Sequence, residues 1–301
     1  MAPYFFFLSD TDAQALSPEL LKAARWLEAH PGQAAMKSMR ECARQAGVAP
    51  ATLTRLAHAL GHSGFEGLKA LFQAGLAPDT NYAARAHALQ LAASSDAADW
   101  TERLSEAQHA NSASAFVLNS RADYDAVAST LLRADKVYFL GMRASFGLAF
   151  HLHYSFGLLA PHGVLLQDLG GTLADQLVRM GEQDVLVVVS LAPYTRQSVW
   201  AAEQAKAQGV PVVAVTDSTL SPLVQAAQHK LLFRAQSTSF FQSMVGALAV
   251  AEGLAAAVAV QGGSKVLMHL QTVQQQLDKQ GAYWEKINRS RNIQSTESRS
   301  K

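Results

Sequence analysis

Cysteine is nearly absent: Cys42 is the only one in 301 residues. An intramolecular disulfide is thereby excluded, and neither a structural zinc site nor an iron–sulfur cluster has its usual thiolates. A reducing, cytoplasmic setting is expected, with no cofactor and no metal. Charged residues are also few, at 16% against 49% hydrophobic, which argues against a disordered or fibrous chain. The apolar run Tyr4-Phe5-Phe6-Phe7-Leu8 is too short for a signal core and lacks a basic lead and a small-residue cleavage site, so no export signal is expected. The longest apolar stretch, 244–260, is rich in Ala and Gly and is broken by Glu252. A membrane-spanning helix needs about 20 strongly apolar residues, so a buried or interface helix is expected there instead.

Glycine and runs of β-branched residues are scarce up to about residue 135, and the pattern in that half is helical. Leu20, Leu21, Ala24, Trp26 and Leu27 recur at near-helical spacing behind Ser17-Pro18, a cap followed by proline at the first helical position. Further helices are expected near 38–46, 50–60 and 64–75. An Ala-rich, polar stretch then reads as a partly helical linker. After 135 the chain alternates short apolar runs with helical patterns. The runs 137–140, 164–166, 185–189, 212–215 and 231–233 have strand length and composition. Uniformly apolar strands imply burial on both faces, the mark of a doubly wound α/β domain with a five-stranded parallel sheet. Cover helices are expected near 145–160, 171–181, 196–208, 220–228 and 239–260. The expected organisation is a helical domain over 1–77, a linker over 78–107, an α/β domain over 108–285 and a polar tail over 286–301.

The net charge of +1 hides a local bias. Over 18–77, seven Lys and Arg stand against four Glu. Within that region Ala43, Gly47 and Leu53 have the spacing of a helix-turn-helix. A small residue sits at the helix crossing, a glycine follows four later where the chain turns with positive φ, and a leucine packs back on the first helix. An ordinary αα-hairpin with Gly47 as a C-cap is the plainer alternative. If the unit reads DNA, the helix from about Pro50 to Leu60 enters the major groove and presents Thr52, Thr54, Arg55 and His58 away from Leu53, Leu56 and Leu60. Arg55 is the foremost base or phosphate contact, and Thr52 has capping as its rival role.

The run Gly47-Val48-Ala49-Pro50-Ala51-Thr52-Leu53-Thr54-Arg55-Leu56, the following Gly61-His62-Ser63-Gly64-Phe65-Glu66-Gly67-Leu68-Lys69 and three loops of the second half resemble the RpiR/MurR family of transcriptional regulators. That family joins an N-terminal helix-turn-helix to a sugar isomerase (SIS) domain. The resemblance implies a double-stranded DNA operator as one partner and a phosphosugar or related anion as the other.

In a doubly wound sheet, ligands bind at the carboxyl ends of the strands. The loop Gly141-Met142-Arg143-Ala144-Ser145 runs from a strand into a helix, where backbone N–H groups and the helix dipole favour an anion. Gly141, Arg143 and Ser145 are candidate ligand contacts. The second loop, Ser190-Leu191-Ala192-Pro193-Tyr194-Thr195-Arg196, adds Ser190, Tyr194, Thr195 and Arg196. Ser190 and Thr195 fall on hydroxyl positions that the resemblance assigns to phosphate. Ala192 and Pro193 stand where relatives often carry Ser and Gly, which removes two donors. Arg196 stands where sugar-processing relatives often carry Glu, and its guanidinium suits an anion, carboxylates included. Thr216-Asp217-Ser218-Thr219 forms a third loop, with helix capping by Ser218 or Thr219 the plainer role. Asp168, Ser237, Ser239 and Gln242 are further candidates for the cleft.

The fold also suits a sugar-phosphate isomerase or an aminosugar-phosphate lyase. Such chemistry needs a general base, and neither binding loop carries Glu or His. Glu203 reads as solvated, Glu252 as buried and paired, and His151 and His153 as packing residues, so no catalytic residue is assigned. A third reading is a purely dimerising α/β domain, with the Ala-rich 239–260 helix as subunit interface. The expectation is a non-enzymatic regulator that is at least a dimer, with no membrane partner.

Overall fold

A computed structural model of the protein describes residues 16–30, 33–34, 37–74, 82–94, 99–219 and 221–284. The aromatic run near the start, the 286–301 tail and parts of the linker lie outside the described residues.

The first half holds helices α1 (Pro18–Ala29), α2 (Met39–Ala46), α3 (Pro50–Ala59) and α4 (Phe65–Ala74). Pro18 opens α1, as expected, but Ser17 makes no side-chain cap there. The cap of α2 is Ser38, which accepts from Glu41 N–H at 3.3 Å and satisfies one of the four orphan donors. Gly47 ends α2 at φ 65°, ψ 37°, a left-handed conformation that glycine adopts without a Cβ penalty. Ala23, Ala24, Leu27, Cys42, Ala43, Leu53, Leu56 and Leu68 close a core with no solvent exposure.

Helices α5 (Tyr82–Ser94) and α6 (Trp100–Val117) follow, and the domain boundary expected at 108 falls inside α6. Beyond α7 (Arg121–Arg133) come β1 (Val137–Gly141), α8 (Phe146–Leu159), β2 (Gly163–Leu165), α9 (Leu173–Leu177), β3 (Val185–Ser190), α10 (Arg196–Ala207), β4 (Val212–Thr216), β5 (His229–Leu232), α11 (Val245–Gln261) and α12 (Gly263–Gln280). The strands form one parallel sheet in the order β2-β1-β3-β4-β5.

The pleat sorts the strand side chains by parity. Val137, Phe139, Val185, Val187 and Val189 pack with α7, α8 and α11 on one face. Tyr138, Leu140, Leu186 and Val188 pack with α9 and α10 on the other. Every residue of β1, β3 and β4 is buried, which explains why these strands read as unbroken apolar runs. Asn119 clips the end of α6 to β5, donating to Leu232 O at 2.7 Å and accepting from Leu232 N–H at 2.6 Å.

Two expected helices differ. The 220–228 segment holds only a 3₁₀ turn, Pro222–Gln225, and the last long helix begins at Val245 rather than 239. Nor is that helix a free subunit interface. Gly246, Ala247, Val250, Ala251, Leu254 and Val258 are buried within the domain, and a Cβ on Gly246 would stand 2.5 Å from Arg234 O. Its small residues permit close packing inside one protomer. Among the described residues no single helix is long and apolar enough to cross a membrane; α11 and α12 pass that test only together and are bent by 112°.

Candidate functional site

The candidate DNA-reading face of α3 is narrower than the sequence implies. Thr52 is 2% exposed and packs inward with Leu53, Leu56 and Ala57, so it is withdrawn from the reading surface. At the third position of its helix it shares the buried stripe, and a β-branched hydroxyl fits there because its methyl group packs. Thr54 is half-buried and donates to Met39 Sδ at 3.3 Å. Ala51, Arg55 and His58, at i, i+4 and i+7, form the outward stripe. Arg55 reaches only Thr52 Oγ1, at 3.5 Å. The His58 ring lies 3.2 Å from Ser63 O and braces the turn after α3.

In the second domain, α8 after β1 and α10 after β3 cover opposite faces of the sheet. The chain therefore reverses its winding between these adjacent strands, the crevice where doubly wound sheets bind ligands. Gly141 pairs with Val189, next to Ser190, which brings the 141–145 and 190–196 loops together. Both loops follow interior strands of the sheet, each with a neighbouring strand on both sides.

Ser145 is 4% and Ser190 2% exposed. No hydrogen bond to either side chain is formed within the described residues. Neither hydroxyl oxygen is among the fully buried side-chain atoms that lack a partner, so both keep access to solvent and stand open to an outside acceptor or donor. Arg143 holds φ 54°, a left-handed conformation unfavourable for a residue with a Cβ. It stands exposed at the start of a 3₁₀ turn that leads into α8. Arg196 is the exposed first residue of α10. Thr195 is the N-cap of α10 but makes no capping bond; its hydroxyl donates to Ser198 Oγ at 2.8 Å.

Tyr194 does not face an open cleft. Its hydroxyl donates to Asp217 Oδ1 at 3.0 Å, while Asp217 Oδ2 accepts from Ala192 N–H at 3.1 Å. Asp217 thus braces the β3 loop from the end of β4. Nothing in the third loop's sequence marks Asp217 for this bracing role. Burial raises its carboxyl above the usual range, against the lowering effect of the Ala192 and Tyr194 bonds. Burial, with the nearby acids Asp217 and Glu28, pushes the Tyr194 phenol well above its ordinary value.

Gln242 completes the brace, donating to Ala192 O at 3.2 Å. Asp168 accepts from Leu173 N–H at 3.2 Å and Gln197 Nε2 at 2.6 Å. Ser237 accepts from Ser239 N–H on its hydroxyl in a local turn and from Arg85 Nη2 on its carbonyl at 3.1 Å. Ser221 is the N-cap of the 3₁₀ turn, and the Ser218 hydroxyl donates to Glu28 Oε1 of α1 at 2.5 Å. Glu252 is exposed rather than buried and paired. His153 lies edge-on to Phe139, with ring centroids 6.1 Å apart.

Residues 11–79 match the helix-turn-helix domain of the rpiR family, and residues 130–257 match the SIS domain. An uncharacterized HTH-type transcriptional regulator of Clostridium perfringens is 24% identical over 211 residues, covering 68% of this chain and 72% of that protein. The sugar isomerase domain of an RpiR transcription factor from Sphaerobacter thermophilus is 28% identical, with TM-score 0.56, over 58% of this chain and 98% of that one. The Vibrio vulnificus NanR protein, solved in complex with ManNAc-6P, shares the fold at 18% identity and TM-score 0.58, over 91% of this chain and 97% of that one. Both halves are matched in the same order, and the chain belongs to the RpiR family of helix-turn-helix transcriptional regulators, with a SIS domain as its second half.

Proposed function

We propose that this regulator senses a small anionic metabolite, a phosphosugar or related carbohydrate derivative, at the mouth of the β1–β3 crevice. The carrying observation is that Ser145 and Ser190, largely buried residues on two adjoining loops, form no side-chain hydrogen bond among the described residues and keep their hydroxyl oxygens accessible. A phosphate or carboxylate oxygen accepts from both, and Arg143 and Arg196 supply positive charge at the rim. The ManNAc-6P bound to the NanR neighbour belongs to the same chemical class.

Sensing is favoured over isomerase chemistry. The two loops hold no Glu or His, and the carboxylates around them, Asp217, Asp168 and Glu28, are engaged in hydrogen bonds. A general base must be able to reach the substrate proton. Isomerisation of phosphosugars by the purified protein would overturn this choice. A thermal-shift screen of phosphosugars and organic acids tests the sensor directly. A true ligand at 100 times its dissociation constant adds about 2.7 kcal/mol of stability, and a panel with no shift counts against the reading.

On DNA, Arg55 and His58 are the candidate readers and Thr54 a secondary one. Arg55→Ala is expected to weaken specific operator binding by ~1–3 kcal/mol, measured at fixed salt because phosphate contacts are salt-dependent. Unchanged affinity removes Arg55 from the interface. Two heads on paired half-sites require at least a dimer. Phe146, Phe150 and Tyr154 lie on one exposed face of α8, with the latter two rings stacked, which offers apolar surface to a second copy. Ligand in the crevice then changes how the dimer spaces its heads. Equal operator affinity with and without the bound metabolite counts against that coupling.

A further inference from the structure

Helix α1 belongs to the DNA-binding domain, yet two of its polar side chains reach the SIS domain. Glu28 Oε1 accepts from Ser218 Oγ at 2.5 Å, immediately after β4. Three residues earlier, one turn back on the same face, Arg25 meets the Gln225 side-chain amide, whose oxygen accepts from Nη1 at 3.0 Å once the amide is turned to face the guanidinium. Ser218 is 4% exposed and adjoins Asp217, the residue that braces the β3 loop through Ala192 and Tyr194. An acidic side chain has thus been carried by one domain into a buried, already acidic corner of the other.

We propose that the loop after β4 is a docking surface for helix α1 of the chain's own DNA-binding domain, with Glu28 as the residue that holds or releases it. That a metabolite in the neighbouring loop is felt by α1 rests on the sensor reading above; the docking itself does not.

The chemistry makes the contact conditional. Among the described residues, the charged and titratable groups that act on Glu28 are Arg25 on its own helix and Asp217 after β4, with Tyr194 after β3 nearby. Burial and the Asp217 carboxylate raise the Glu28 carboxyl to about 8, against the lowering effects of the Ser218 bond and of Arg25. Arg25 itself is pushed below its ordinary value by burial. The docked helix therefore holds a neutral Glu28 near neutrality, whereas the free helix has an ordinary carboxyl near 4.5. A group whose docked value is raised favours docking fully below about 4.5 and loses that contribution as pH climbs to about 8. Across the window the docking constant falls by up to about tenfold per pH unit.

Amide hydrogen exchange on the ligand-free full chain, corrected for intrinsic rates, reads this directly at pH 6 and pH 9. In the wild type, protection of α1 and of 217–225 is expected to drop at least tenfold at the higher pH, with a larger radius of gyration by X-ray scattering. E28Q keeps the acceptor oxygen and removes the titration, so its protection should be equal at the two pH values. S218A should exchange faster at both. Circular dichroism at each pH separates undocking from unfolding. A wild type with pH-independent protection, or an E28Q that follows the wild-type profile, overturns the proposal. Either result leaves the ligand screen untouched, and a failed screen leaves the docking measurement standing.

Discussion

Replacing Leu53 by Ala is expected to abolish operator binding by unfolding the DNA-binding half while the SIS domain stays folded. Leu53 is fully buried in a core with Ala24, Leu27, Cys42, Ala43 and Leu56. Truncating a buried leucine costs about 2–5 kcal/mol in lost transfer energy and cavity. A small helical unit buries a smaller share of its surface than a large domain and is correspondingly marginal, so the loss is comparable with its whole stability. The two cores of the sheet share no residue with this one. Urea unfolding followed by far-UV circular dichroism should therefore show an early helical transition in L53A and an unshifted later one. L53M, which conserves volume, is expected to cost under about 1.5 kcal/mol and to keep DNA affinity. Should L53A bind the operator like the wild type, the leucine is not what sets α3 against α1 and α2.

The same packing explains which parts of this unit were legible. Ala43, Gly47 and Leu53 answer to steric rules that depend only on local geometry, and all three occupy the environments their spacing requires. Thr52 is polar by type but buried by register, since it lies one turn before Leu56 on the same inward stripe of α3. The strands were legible for a parallel reason, since burial on both faces leaves an apolar run that helices do not imitate at that length. The start of α11 was not, because 239–244 carries no proline or glycine to mark the break.

Within the candidate site, the β1 and β3 loops could be found from the strand-to-helix rule alone. What holds them could not. Asp217 sits 25 residues from Ala192 and 23 from Tyr194, and only the pairing of β3 with β4 brings them together. Glu28 was more deeply hidden. On its own helix it looks like any solvated glutamate, and its partner Ser218 is 190 residues away on another domain. Contacts between domains leave no periodic trace in either one.

Gly141→Ala is expected to destroy the anion cradle. A Cβ at this position would lie 2.3 Å from Ser145 O and 2.7 Å from Ser145 C, both backbone atoms, and 3.0 Å from Ala149 Cβ. No rotamer change relieves a clash with main chain, so the 3₁₀ turn over Arg143–Ser145 must move. The Ser145 amide, now bonded to Met142 O at 3.1 Å, and the Ser145 hydroxyl move with it. Overpacking of this kind costs roughly 1–3 kcal/mol of stability. Displacing the donors at the start of α8 should weaken an anionic ligand by about tenfold or more, which corresponds to at least about 1.4 kcal/mol. Gly147→Ala is the matched control. Its added Cβ meets nothing within 4 Å, it lies on α8, and relief of glycine's backbone entropy should stabilise the protein by up to about 1 kcal/mol. Titration calorimetry with whichever metabolite shifts the melting temperature, run on both variants, separates the two glycines. If G141A and G147A bind that metabolite equally well, the ligand does not use the loop after β1.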